Sequence, residues 1–329
     1  MDTEKPKSKP KTSCPDQSEK LLEDWCDVFA DIINVLVYGG ERCVEEKYLV
    51  DGPTASRYKA AAGPYQEKDR DICKEDIRDK ICYAIWGLEN QTDVNRIMPV
   101  RCMGYDYAAY EWICKRIQAE NKRDGNEPKY TEGIRKGQTL WPVVTIVLYF
   151  GLKKWDAPTT LWELANVLDE LKPYVPNYHI NLVQVAFLEE DVIQKFRSDF
   201  QTIAKFFRAK RVGKEKEIMY NDQRKWVHIS EMLEFFHTFT GDKRYRKYKA
   251  FLIEIAQKGE VRMCTLLDAF QKDGLEKGLE KGILIGKYQS ADKYAQKHNT
   301  TIEDAMEQLD FSEEEKAGYA TWKSTGKTA

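Results

Sequence analysis

Leu21, Leu22, Trp25, Val28, Phe29, Ile32, Ile33 and Leu36 recur at intervals of three and four residues. That period gathers apolar side chains on one face of a helix, and the Gly39–Gly40 pair ends it. A loop-rich stretch through Gly52–Pro53 and Gly63–Pro64 follows, and then two strands, around 70–75 and 81–89. The second reads ICYAIWGLE and is apolar on both faces, as a central strand should be. Pro99 suits the first turn of a long helix, whose apolar positions Val100, Met103, Tyr107, Tyr110, Ile113, Cys114 and Ile117 keep a 3.6-residue period. After a polar loop over 121–139, VVTIVLYF at 143–150 reads as a buried strand stopped by Gly151. A capped helix over 160–171 and a shorter strand over 181–187 follow. The helix between strands has the length of a parallel crossover, so the order predicts an α/β fold with a mixed sheet flanked by helices. Beyond 189 the pattern is helical throughout, which adds an all-helical C-terminal region.

These shifts divide the chain into a Lys/Pro/Ser-rich disordered tail over 1–17, a core over 18–188 and a helical region with a basic segment over 189–272. A glycine-repeat connector over 273–287 and a small helical tail over 288–329 complete it. In the connector Gly274, Gly278, Gly282 and Gly286 stand four residues apart. Each costs roughly 1 kcal/mol against alanine in a helix, so four of them call for close helix packing or a hinge more than for a ligand loop. No G-x-x-x-x-G-K-[ST] phosphate loop occurs.

Composition narrows the classes. With 42% hydrophobic and 32% charged residues among 329, the chain is globular and large enough for a substantial core. No apolar run approaches the roughly 18–20 residues of a membrane span, and the start carries no signal-peptide pattern, which places the expected compartment in the cytoplasm. Eight cysteines without a C-x-x-C pair or a nearby histidine read as reduced thiols, and four histidines leave acid–base or metal chemistry to carboxylates. Net charge is only -2, yet residues 205–249 hold thirteen basic against six acidic side chains. Such a segment suits an anionic polymer, with Arg208, Lys210, Arg211, Arg244 and Arg246 as candidate nucleic-acid contacts, and solvated helix faces account for it equally well.

The candidate chemistry lies at Asp71, Glu89 and Gln91. Residues two apart on a strand share a face, so Glu89 and Gln91 point together from the end of the buried strand. An antiparallel hairpin pivoting near Lys80 sets Asp71 opposite Glu89. Two carboxylates there form a hard-oxygen site of the kind Mg2+ or Mn2+ prefers, although solvated strand ends have the same composition and Asp69 shares a face with Asp71.

Four segments, in order, resemble the YhgA-like Rpn family of recombination-promoting PD-(D/E)XK nuclease transposases: FADIINVLVYGGE, SRYKAAAGPYQEKDRDICKE, YAIWGLENQTDVNRIMPVRCMGYDYAAY and WPVVTIVLYFGLKKW. The resemblance covers about 20–285 and is most specific in the RD before a strand, the E-x-Q closing the next, the M-P-x-R-x-x-x-Y-D helix start and the strand ending in Y-x-G. It implies a restriction-endonuclease-like core that cuts double-stranded DNA with Mg2+ or Mn2+. Asp71 then matches the metal-binding aspartate, favoured over Asp69 by the RD context. Glu89 matches the acid of the E-x-K/Q motif and Gln91 its third position, and Asn90 would lend its backbone carbonyl to the metal. Gln91 stands where the wider superfamily usually has a charged lysine. Arg101 and Tyr105 match family positions, Arg101 as a possible phosphate neighbour. Asp31 is the nearest candidate for an assisting acid on the first helix, where an exposed aspartate is the plainer reading. The competing function is a catalytically inactive nucleic-acid-binding or oligomerisation module that keeps the fold.

Overall fold

The computed structural model describes residues 22–53, 55–58, 66–79, 81–125 and 133–326. The expected tail over 1–17, the Gly63–Pro64 loop and the pivot Lys80 lie outside them. Two compact units divide the chain at Cys264.

In the first unit, helix α1 (Cys26–Leu36) buries Val28, Phe29, Ile32 and Ile33, the face the apolar period indicates, and the chain leaves it through Gly39 and Gly40 at positive φ. Five strands form one sheet: β1 (Leu49–Asp51), β4 (Ile72–Arg78), β5 (Ile81–Gln91), β6 (Val143–Tyr149) and β7 (Asn181–Gln184), hydrogen-bonded in the order β1-β4-β5-β6-β7. The pairs β1/β4 and β4/β5 are antiparallel, whereas β5/β6 and β6/β7 are parallel. The mixed α/β sheet inferred from the element order is therefore present. Ile72 faces Leu88 and Asp76 faces Ala84, a register that pivots on position 80 until an irregularity between Asp76 and Ile77. A separate antiparallel ribbon, β2 (Ala55–Tyr58) with β3 (Gln66–Asp69), stands where the sequence reads as loop. Its strands, ASRY and QEKD, are mainly polar and carry no apolar alternation to announce them.

Helix α2 (Met98–Arg123), with Pro99 in its first turn, makes the crossover from β5 to β6. Its buried face is Met98, Cys102, Tyr105, Ala109, Ile113 and Ile117. Val100, Met103, Tyr107 and Tyr110 of the expected face are exposed instead. The helical period holds, but four of the seven expected positions face solvent, because Cys102, Tyr105 and Ala109 face the sheet in place of larger apolar neighbours. Ile113 and Ile117 pack with Cys73, Cys82 and Ile85, while Met98 and Cys102 pack with Val147 and Ile180.

The expected helix over 160–171 is shorter, Leu161–Ala165 (α3). Thr160 and Glu163 form a reciprocal capping box, and Asn166 at φ +48° ends the helix one turn later. The strand expected over 181–187 gives way at Val185 to a 3-10 turn. Beyond 189 every regular element among the described residues is a helix, apart from one isolated bridge between Lys225 and Arg262. Phe150, just past the end of β6, packs against Phe207 with ring centroids 5.0 Å apart and the rings tilted, and so joins the sheet to a phenylalanine cluster of the helical region.

In the second unit, the helix Met263–His298 runs unbroken through all four glycines. No described atom lies within 4 Å of where a Cβ would stand at any of them. Tyr288, Ala291, Met306 and Phe311 make a small core with the helices Ile302–Gln308 and Glu313–Thr325. Among the described residues no helix is long and apolar enough to cross a membrane.

Candidate active site

The last three residues of β5 carry the site. Glu89 and Gln91 share a face and touch: the Gln91 side-chain amide donates to Glu89 Oε1 at 3.2 Å and to the Asn90 carbonyl at 2.7 Å. Glu89 has no exposed surface. Its Oε1 also accepts from Arg101 at 2.6 Å and from the Tyr105 hydroxyl at 3.3 Å, two residues one turn apart at the start of α2. Arg101 donates to the Tyr105 oxygen as well, at 2.8 Å, which closes the triangle. Asp71, half-buried, sits one step before the Ile72–Leu88 pair, and its Oδ2 accepts the Asn90 backbone N–H at 2.7 Å. The hairpin thus brings Asp71 beside the Glu89–Asn90 peptide.

Electrostatics bind these groups into one neighbourhood. Burial works to lower the Arg101 pKa, but Glu89, then Tyr105 and Asp71, outweigh it and leave it raised. Burial, and after it the Glu89 charge, pushes the Tyr105 phenol up to about 12. The Cys102 thiol, one turn from the site, is pushed up to about 12 by burial and by Glu89.

Asn90 projects to the opposite face, where its side-chain amide donates to Glu23 Oε2 at 2.6 Å. Glu23 is buried just before α1 and is the upstream acid that meets the E-N-Q strand end. Asp31 does not. Its Oδ2 accepts the backbone N–H groups of Arg197 and Ser198, both at 2.7 Å, which fixes a loop instead. The sequence signal for Glu23 was available: an acid next to the fully buried Leu22, inside the apolar period. Asp69 lies on β3, whose side chains are outside the described set.

A second network holds the frame. Arg70, the arginine of the RD pair, is buried and donates to Asp106 Oδ1 at 3.0 Å. Asp106 also accepts from Thr145 at 2.5 Å and from Tyr178 at 2.6 Å. In each of the two motifs, then, one residue serves the acids and its neighbour serves the scaffold: Asp71 beside Arg70, Tyr105 beside Asp106. On the α1 side, buried Lys74 bonds Asp24 at 3.0 Å and Asp51 at 2.9 Å. Burial would lower its pKa, and those two bonds raise it.

The cations expected to touch nucleic acid are engaged within the chain. Lys210 donates to the Phe239 carbonyl and Arg211 to the Ala186 carbonyl, both at 2.8 Å. Arg208 donates to the Leu188 carbonyl, Arg244 pairs with Asp242 at 2.6 Å, and Arg246 pairs with Glu234.

No group of three His, Cys, Asp or Glu side chains is gathered at metal-holding geometry among the described residues. The donor chemistry nonetheless fits a hard divalent cation. Asp71 and Glu89 offer carboxylate oxygens, and the Asn90 backbone carbonyl, which accepts from Gln91, is a further oxygen on the strand end. Asn90 Oδ1, buried without a hydrogen bond among the described residues, lies on the opposite face with Glu23.

Residues 77–232 match the model of a family described as putative transposase, YhgA-like, the family the sequence motifs resemble. The match takes in Glu89, Asn90, Gln91, Arg101 and Tyr105 and begins after Asp71. No curated protein and no solved structure matches the chain.

Proposed function

We propose, from the premise of that transposase-family match, that the protein is a DNA endonuclease that hydrolyses phosphodiester bonds with Mg2+ or Mn2+. The observation that supports this most is the E-N-Q strand end: Asp71 is bonded to its backbone, and Arg101 and Tyr105 hold its glutamate. Asp71 and Glu89 would hold the cation, with the Asn90 backbone carbonyl as a further oxygen donor. When bound, the cation supplies Lewis acidity at a phosphodiester oxygen.

The residues themselves do the positioning. Arg101 and Tyr105 fix the Glu89 carboxylate in one rotamer and offset its charge, so little reorganisation remains when substrate arrives. Both N–H donors of Gln91 are engaged, by Glu89 and by the Asn90 carbonyl. Its Oε1 is therefore the atom that can accept a hydrogen bond from the attacking water and turn the water's lone pair toward phosphorus. With glutamine in place of lysine, Arg101 is the cation bonded to Glu89 Oε1.

Incubation with supercoiled plasmid and Mg2+ or Mn2+ tests the proposal. The parent protein nicks it, while Asp71→Asn and Glu89→Gln lose at least about 100-fold in rate, the scale of removing an electrostatic stabiliser. Equal cutting by parent and variants, or none by the parent, overturns it. One observation favours a second reading, a silent module that binds double-stranded DNA or a second copy: Arg101 already occupies the Glu89 oxygen. That module retains DNA and cuts it with neither Mg2+ nor Mn2+.

A further inference from the structure

A groove in the first unit lies between α1 and two loops clamped against it, enclosing about 440 Å3. Asn34 and Asp31, one turn apart on α1, build its walls. Asn34 Oδ1 accepts the N–H groups of Cys43 and Val44 at 2.9 and 2.8 Å, and its amide donates to the Val44 carbonyl at 2.8 Å. This fixes the loop that carries Arg42. Asp31, through its two bonds to the 197–198 backbone, fixes the opposite loop, which carries Lys195 and Arg197. The Lys195 stem packs over Gly40, 3.4 Å from where a Cβ would stand, and Gly40 has φ +102°. A side chain there would be strained and would push Lys195 off the wall.

Cations and acids line this groove in equal number, but they are not equally free. Of the four acids, Asp31 is held by two amides, Asp27 by His228 at 3.0 Å and Glu45 by Lys47 at 2.8 Å, which leaves Glu46 alone without a partner among the described residues. Arg42, Lys195 and Arg197 are exposed, and their side chains form no ion pair or hydrogen bond among the described residues. They stand on facing walls of a preformed trough, whereas the basic side chains named from 205–249 are engaged.

We infer that this groove holds the phosphate backbone of duplex DNA, with Arg42 on one side and Lys195 and Arg197 on the other. The inference rests on the nuclease reading and names where its substrate is gripped. Position favours it. Asp27 at the groove is four residues from Glu23, so their Cα atoms are at most about 14 Å apart. Glu23 is bonded to the Asn90 side chain, on the face of β5 opposite the Glu89 side chain. A strand that leaves the groove past Glu23 therefore meets the end of β5 from the α1 side, where Asp71 is bonded to the Asn90 backbone.

The test is anisotropy of a short labelled duplex, in chelator so that nothing is cut, between about 50 and 200 mM salt. Each phosphate contact contributes roughly 0.9 to the slope of log affinity on log salt. The triple variant Arg42→Gln, Lys195→Gln, Arg197→Gln lowers that slope by about 2–3. The charge-keeping pair Arg42→Lys, Arg197→Lys leaves it near the parent value. Arg208→Gln with Arg244→Gln changes it little. An unchanged slope in the triple variant, no duplex binding by the parent, or competition by inorganic phosphate as strong as by DNA each overturns the inference. Plasmid nicking reads the nuclease proposal separately: salt-dependent binding through these three residues without cleavage sinks that proposal and leaves the groove standing.

Discussion

The Arg101 guanidinium meets the Glu89 carboxylate at 2.6 Å, joining the first turn of α2 to the end of β5. A cation in the first turn lies at the wrong end of the helix dipole, and a fully buried carboxylate is costly without a partner. Each of the two makes the other tenable. Because Tyr105 bonds both, the pair has one geometry, and the acid is aimed before any ligand arrives.

Removing Arg101 should therefore be costly even though a quarter of its side chain is exposed. Arg101→Ala leaves Glu89 buried against an unanswered charge and lowers stability by about 3 kcal/mol, read as a fall in the urea midpoint. Adding Glu89→Ala to it recovers part of the loss. If the double variant is less stable by the sum of the two singles, the residues are not coupled.

Gly87 on β5 is the seat of Arg70. A Cβ there would come within 2.4–2.7 Å of the Arg70 side chain, which is buried and anchored to Asp106 and so has nowhere to retreat. Gly87→Ala lowers stability by roughly 1–3 kcal/mol, the usual cost of overpacking. Thermal unfolding measures it, and combining the change with Arg70→Ala, which clears the space, makes the alanine nearly neutral.

Alkaline pH should loosen the site through Tyr105. Its folded pKa is raised from 10.0 to about 12, by burial and then by Glu89. A raised folded pKa means that the contribution is complete below the unfolded value of 10.0 and is lost as pH rises through about 12. The shift corresponds to about 2–3 kcal/mol. In urea midpoints taken up through that window, Tyr105→Phe falls less steeply than the parent. Parallel slopes would show that the phenol titrates as though exposed.

How much of this was legible depended on whether one strand or one helix carried the information. Glu89 and Gln91 share a face by the two-residue period alone, and the hairpin register that brings Asp71 alongside follows from a pivot at position 80. Arg101 and Tyr105 were visible as motif positions, but that they hold Glu89 requires the α2 crossover to dock its first turn on β5. Glu23 and Asp31 exchanged parts because an acid's role depends on which loop passes it, here the 197–198 backbone more than 160 residues away. The same limit applies to charge. Counting found the basic segment, yet whether a cation is free depends on neighbouring carbonyls, such as that of Phe239 beside Lys210, which counting does not see. Strand β2 and its partner were hidden by their polar composition.

The glycines of the long helix give the remaining prediction. Their spacing suggests close packing or a hinge, but the helix continues unbroken through them, and the position of each missing Cβ is open among the described residues. Leu275, Leu279 and Ile283 beside them are also exposed, at 73%, 65% and 56%. If the chain alone determines their environment, each glycine only weakens the helix. Gly274→Ala, Gly278→Ala and Gly282→Ala then each stabilise it by about 1 kcal/mol, seen as a higher thermal midpoint in circular dichroism. Destabilisation by the same substitutions, growing with protein concentration, would mean that another chain approaches along this stripe too closely to admit a methyl group. The glycines would then be an interface that the isolated chain leaves open.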